Sequence, residues 1–160
     1  MPALHEYRAA QPPDAPGCVE LRGLTRENAV SVTRLAAMGI TAESWAESIR
    51  DNSLPGFVCL SEGKLVGYCF GDRQSGEVVV LAVRPEFENQ GIGRALLDQL
   101  VNEFSRAGRA RLFLGCSADP NSRSYGFYRY LGWRSTSQYD SNFDEILEYP
   151  IATDSGLAHR

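Results

Sequence analysis

The chain has 160 residues, 43% of them hydrophobic and 22% charged, the proportions of an ordinary globular domain, which exclude collagenous, low-complexity and intrinsically disordered classes. Sixteen basic residues against twenty acidic ones leave a net charge of -4, the wrong sign for a protein that wraps a nucleic-acid backbone. No apolar run is long enough to span a bilayer, and the first thirty residues lack the basic start and apolar centre of a secretory signal. A cytoplasmic protein without membrane or nucleic-acid partners is expected.

Residues 1–16, which hold four prolines, and residues 153–160 read as flexible tails around a single domain at 17–152. Cys18 to Leu21 is a short strand candidate. The spacing of Ala29, Val32, Leu35 and Ala36 predicts a helix over Arg26 to Met38, stopped by Gly39. Thr41 caps a second helix running to about Asp51. Phe57 to Leu60 and Leu65 to Phe70 form a hairpin around Glu62-Gly63-Lys64. Glu77 to Val83 is almost continuously apolar, as a strand covered on both faces would be.

From Ile92 the apolar positions recur at helical spacing until Gly108. Arg111 to Cys116 is a strand, Asn121 to Leu131 a helix, and Trp133 to Gln138 and Glu145 to Ile151 a last pair of strands. The order β-α-α-β-β-β-α-β-α-β-β implies an α/β mixed sheet with helices on both faces and no internal repeat.

Cys18, Cys59, Cys69 and Cys116 are widely spaced, and three of them interrupt apolar runs, the pattern of small buried hydrophobes in a reducing compartment. No C-x-x-C occurs, and His5 and His159 lie in the terminal segments, so no metal site is expected. Between Arg84 and Arg134 eight arginines face five acids. Either an anionic ligand sits there or the arginines are solvated on helix faces.

Gly91-Ile92-Gly93 stands between the buried strand and the long helix. Glycine lets backbone lie flush against a ligand, and a helix start points unpaired N–H groups and a partial positive charge at it, which suits a phosphate or pyrophosphate. A plain strand-to-helix turn is the alternative. Leu96 stands where a dinucleotide fold would have its third glycine, and no Gly-Lys-Ser/Thr is present for a P-loop.

The stretch VVVLAVRPEFENQGIGRALLDQL (Val78 to Leu100), followed by NSRSYGFYRYLGW (Asn121 to Trp133), resembles the acetyl-CoA-binding core of the GNAT superfamily of N-acetyltransferases. The first matches the family's strand, its Q/R-x-x-G-x-G/A loop and its helix; the second matches a later helix. The resemblance implies the GNAT fold, a central mixed, mostly antiparallel sheet flanked by about four helices, with acetyl-CoA as cosubstrate and no metal.

It further implies that the backbone of Glu88, Asn89, Gln90, Gly91, Ile92, Gly93, Arg94 and Ala95 holds the pyrophosphate. The backbone of Ala82 and Val83 would pair with the pantetheine arm where two strands splay. Asn121 would hydrogen-bond the pantetheine and Tyr128 would protonate the departing thiolate. Glu88 departs from the Q/R pattern, and a carboxylate beside a pyrophosphate should weaken binding unless it turns to solvent.

Acetyl transfer needs a neutral amine, and Glu77, fourteen residues before Gly91, has the offset of the glutamate base in histone-acetylating members; Asp72 and Glu86 are weaker candidates, and a plain strand-end acid is the alternative. Tyr128 is otherwise a core aromatic, and Asn121 otherwise a helix cap beside Asp119-Pro120. The family's acceptor pocket would fall between Arg26 to Asp51 and Gln138 to Glu148, where the acids suit a cationic amine, small molecule or peptide. A homodimer is left open, as is a module of the same fold that binds acyl-CoA without turnover.

Overall fold

The computed structural model describes residues 5–151. Two antiparallel sheets meet at one point. The first has the order β1-β2-β3-β4, with β1 His5–Ala9, β2 Gly56–Ser61, β3 Lys64–Gly71 and β4 Val78–Val83. The second has the order β5-β7-β6, with β5 Arg111–Cys116, β6 Arg134–Tyr139 and β7 Glu145–Pro150. A single parallel bridge between Glu77 and Phe113 joins them, and there Phe113 N–H donates to the Gly76 carbonyl at 3.2 Å. Beyond that vertex β4 and β5 share no ladder and enclose a cleft between them. The expected splay is present.

Five helices cover the sheets: α1 Ala15–Arg22, α2 Val32–Ala37, α3 Ala42–Arg50, α4 Ile92–Arg106 and α5 Arg123–Tyr130. On one face α4 buries Leu96, Leu97, Leu100 and Phe104 in a core shared with Leu112, Leu114, Trp133 and Leu147 of the second sheet's neighbourhood. On the other, α1 and α3 bury Cys18, Leu21 and Trp45 against Tyr68 and Phe70 of β3. Fully burying such side chains contributes roughly 1.5–3 kcal/mol each, and the sheet is sandwiched between two such cores. The cysteines are all free and buried.

The start of the chain departs from the sequence reading. Residues 5–9, expected in a loose tail through residue 16, form an edge strand antiparallel to β2 with His5 opposite Ser61. Cys18 to Leu21, expected as a strand, lies inside α1. The prolines misled because they were counted as breakers. Pro12 and Pro13 open a 3-10 turn and Pro16 sits in the first turn of α1, where its missing N–H costs nothing. Ala15, Cys18 and Val19 are the buried helical stripe, and Tyr68 Oη donates to the Cys18 carbonyl at 3.0 Å, fastening α1 to β3.

The observed order is therefore β-α-α-α-β-β-β-α-β-α-β-β. The helix expected from Arg26 begins only at Val32, because the Ser31 side chain accepts from Arg34 N–H and caps it there. Residues 153–160 lie outside the described residues. No helix among the described residues is long and apolar enough to cross a membrane.

Two irregularities interrupt the ladders of the first sheet, the first of them in the cleft wall. Gly71 pairs with Val78 and Phe70 with Val80, so Val79 has no partner in β3 and bulges out, 49% exposed. A second bulge lies in β3, where Leu60 pairs with Leu65 but Cys59 with Gly67, leaving Val66 over.

Candidate active site

The cleft between β4 and β5 has a volume of about 380 Å³ and is walled by β4, the turn before α4, the first turn of α4, the end of β5 and α5. Its floor is a strand edge with a definite parity. Arg84 N–H donates to the Val66 carbonyl at 2.8 Å, which makes that pair the hydrogen-bonded kind. Hydrogen-bonded and non-hydrogen-bonded pairs alternate in an antiparallel ladder, so Ala82 turns its peptide groups to Tyr68 while Leu81 and Val83 turn theirs to the cleft. The edge open to a pairing ligand is therefore Leu81 and Val83, rather than Ala82 and Val83.

The turn before α4 has the backbone to hold an anion. Asn89 and Gly91 both take left-handed backbone, with φ of 64° and 81°, and Gly91 is the N-cap of α4. Only glycine adopts that conformation there without strain. Glu88 N–H is committed to the Pro85 carbonyl at 3.3 Å and Ala95 N–H to the Gly91 carbonyl at 3.0 Å. Between them, the N–H groups of Asn89, Gln90, Gly91, Ile92, Gly93 and Arg94 have no protein acceptor among the described residues. These are the orphan donors of a helix start extended back through a left-handed turn, a ready cradle for phosphate oxygens. Gly93 faces α5 closely, since a Cβ there would lie 3.4 Å from Phe127 Cζ.

Glu88 does not turn to solvent. Its side chain is 11% exposed and accepts from Arg26 Nε at 2.8 Å, with Arg123 Nε at 3.9 Å. Arg123 also donates to Asn89 Oδ1 at 3.1 Å, and Glu27 Oε2 accepts from the Arg123 main-chain N–H at 3.0 Å. The loop between α1 and α2 is thereby clasped across the cleft mouth, and the carboxylate expected to repel a diphosphate is offset by two guanidinium groups. Replacing it should tighten cofactor uptake: Glu88→Gln removes the negative charge and leaves Arg26 and Arg123 to face the phosphates. We expect the acetyl-CoA Kd to fall about three- to tenfold by calorimetry, with stability changed by ~1 kcal/mol or less, since the Arg26 partner is largely exposed. An unchanged or weaker Kd contradicts this account.

The arginines divide accordingly. Arg84, Arg106, Arg111 and Arg129 pair with Glu20, Glu103, Glu148 and Glu145, and Arg109 donates to the Arg73 carbonyl. Arg94 and Arg123 line the cleft together with Arg22 and Arg26 of the opposite loop.

Tyr128 lines the cleft from α5, its ring edge-on to Phe127 at 5.0 Å and to Trp133 at 5.8 Å. Burial pushes its hydroxyl up, so it keeps its proton at neutral pH. Asn121 is exposed and is not part of the cleft wall; Ser122 rather than Asn121 or Asp119 caps α5, accepting from Tyr125 N–H at 3.4 Å.

Glu77 sits at the vertex, outside the cleft wall, with its carboxyl pushed up by burial and then by Asp72 and Asp140. Asp144, on the turn between β6 and β7, does line the cleft, and burial followed by Asp140 pushes it up too. The same turn leans over Gly115 of β5, where a Cβ would lie 2.8 Å from an Asp140 carboxylate oxygen. Sequence reasoning had placed Asp144 only among the acids of the acceptor side; its position in the wall depends on the β6–β7 turn folding back over β5.

Residues 20–133 match the family model described as Acetyltransferase (GNAT) family, and the chain belongs to that family. It is 30% identical over 83 residues to the [ribosomal protein bS18]-alanine N-acetyltransferase of Escherichia coli K12, a match covering 51% of this chain and 55% of the relative. The match thus spans about half the length of that relative. Among solved structures, YncA of Salmonella typhimurium, a putative acetyltransferase with acetyl-CoA, superposes with a TM-score of 0.72 at 19% identity, over 92% of this chain and 94% of that one. The PaiA N-acetyltransferase of Thermoplasma acidophilum, in complex with coenzyme A, gives 0.67 at 18% identity, over 92% and 99%. At such identities the structures establish the shared fold.

Proposed function

We propose that the protein transfers an acetyl group from acetyl-CoA to a primary amine in a ternary complex. The observation that carries this reading is the run of unpaired N–H groups from Asn89 to Arg94 opening on the same cleft as the free edge of β4. That combination fits one ligand chemistry well: a diphosphate on the amide cradle, continued by an amide-bearing arm that pairs with Leu81 and Val83. Arg94, Arg123 and Arg26 supply countercharge for the phosphates. The CoA-bearing structures named above share the fold, which supports the same placement.

Bound there, acetyl-CoA would supply the thioester carbon that the amine nitrogen attacks, so that a C–N bond forms, the C–S bond breaks, the sulfur leaves as a thiolate and the amine proton passes to a base. An amine of pKa ~10.4 is only about one part in a thousand neutral near pH 7.4, a penalty of roughly 4 kcal/mol. A carboxylate with a raised pKa offsets part of it by accepting the proton, directly or through a water. Asp144, in the cleft wall, takes this role in our reading, and Glu77 at the vertex is the second acid of the pair. Tyr128 donates a hydrogen bond from its O–H to the leaving sulfur.

The test follows free thiol release from acetyl-CoA against a panel of amines over pH 5 to 9. A raised carboxyl accepts a proton only above its pKa, so kcat/KM should climb with pH on the acid side. Asp144→Asn should flatten the carboxyl's contribution to that limb, leaving only the rise that follows the neutral amine, and lower kcat/KM at least tenfold, and Glu77→Gln should do less. Cofactor binding with no thiol release on any amine would overturn the enzymatic reading. Flattening by Glu77→Gln alone would move the proton acceptor to the vertex.

A further inference from the structure

Adjoining the cofactor cleft at Arg22, Val79 and Val80 lies a second cavity of about 370 Å³ between α2, α3 and β4. Its walls include Leu35, Met38, Ile40, Trp45, Leu54 and Val79. Leu35 and Trp45 belong to the buried core, whereas Met38 and the bulged Val79 are 61% and 49% exposed and stand open to solvent. The cavity shares Arg22, Val79 and Val80 with the cofactor cleft, so the bulge is a common wall of both.

We infer that this cavity holds the non-reacting part of the acceptor, and that the acceptor is a monoamine carrying a bulky apolar group of aromatic size. The inference rests on the acetyltransferase reading and names its substrate class. A volume of this size is at the lower end for small-molecule sites, which are mostly apolar with a few convergent polar groups. It suits one ring with a short chain rather than an extended peptide.

Charge selects further. The amine end would pass the bulge toward Asp144 in the cleft wall, while the cavity beyond offers aliphatic walls, Ser44 and Ser48, and no carboxylate among its lining residues, an environment that rejects a second ammonium. Polyamines and lysine-like diamines are therefore poor fits. Met38, unbranched and polarizable, gives the rim its tolerance of ring shape.

The test uses the full-length protein with acetyl-CoA and three primary amines of matched reactivity: propylamine, 4-phenylbutylamine and spermidine. We expect kcat/KM for the phenyl compound to exceed that for propylamine at least about tenfold, because apolar contacts of even one methylene reach that ratio, and spermidine to be the poorest. Ser48→Phe places a ring in the same cavity, which Ser48 lines. It should raise KM for 4-phenylbutylamine about tenfold or more and leave KM for propylamine and the Kd for acetyl-CoA within twofold. Calorimetric titration of the phenyl amine into the CoA complex reads the same site without turnover, and Ser48→Phe should abolish that heat.

Spermidine or propylamine matching the phenyl amine overturns the apolar assignment while the acetyltransferase reading stands. A Ser48→Phe variant that binds acetyl-CoA normally and discriminates the amines as the parent does also overturns it. No turnover of any amine, with acetyl-CoA bound, overturns both.

Discussion

Replacing Tyr128 by phenylalanine should lower kcat about 10- to 100-fold, or ~1.4 to 2.7 kcal/mol of transition-state stabilisation, while the Kd for acetyl-CoA stays within about twofold. The ring is held edge-on between Phe127 and Trp133, and phenylalanine keeps that packing, so only the O–H is lost. The direction of the tyrosine shift defines what the O–H does. Burial raises its pKa, whereas a thiol titrates near 8.5, so handing the proton outright to the sulfur is uphill. A hydrogen bond that strengthens as charge gathers on sulfur is not. The variant should therefore lose rate in proportion to the basicity of the leaving thiolate, and acyl donors with more acidic thiols should suffer less. Steady-state kinetics with acetyl-CoA and an acetyl thioester of lower thiol pKa decide this; an equal loss on both, or no loss on either, removes Tyr128 from the leaving-group role.

Gly93→Asp should weaken acetyl-CoA binding by at least about 100-fold. The amide cradle would meet the diphosphate with N–H groups, and a carboxylate on the first turn of α4 sets a like charge against it. At about 4 Å and an effective dielectric of 20, two such charges repel by ~4 kcal/mol. Gly93→Ala separates charge from bulk, because the added methyl would sit 3.4 Å from Phe127 Cζ, close but tolerable, and should cost no more than a few-fold. Calorimetry on both variants, with melting temperatures as a check on folding, measures the difference. Equal losses would make Gly93 a packing glycine between α4 and α5 and deprive the cradle of its electrostatic role.

Much of the cleft was legible because it is local. Val78 to Val83 and the helix from Ile92 announce themselves by apolar continuity and by period, and the two glycines lie between them. Arg111 to Cys116 matches β5 at both ends. What escaped depends on pairing between distant segments. Which of Leu81, Ala82 and Val83 faces the cleft is fixed by ladder parity with β3, and a shift of one residue reverses the answer.

The fate of Glu88 depends on Arg26, sixty-two positions away, a partner no local pattern could supply. Glu77, chosen by its offset from Gly91, stands at the vertex and not in the cleft wall, while Asp144 reaches the wall because β6 and β7 turn back over Gly115. Asn121 was assigned by register alone and lies on an exposed turn. The first strand was lost because proline was counted as a breaker, and not as a helix starter.

That first strand also bears on how the protein is handled. It lies along the outer edge of β2, and His5 Nε2 is 3.0 Å from Gln90 Oε1 in the turn before α4. A version trimmed to begin at residue 17 would uncover the backbone of β2 as a sticky border, the kind of margin along which chains associate and precipitate. It would also remove the contact between β1 and the turn before α4. Fusion partners and affinity handles belong ahead of His5 with slack, or at the other end of the polypeptide.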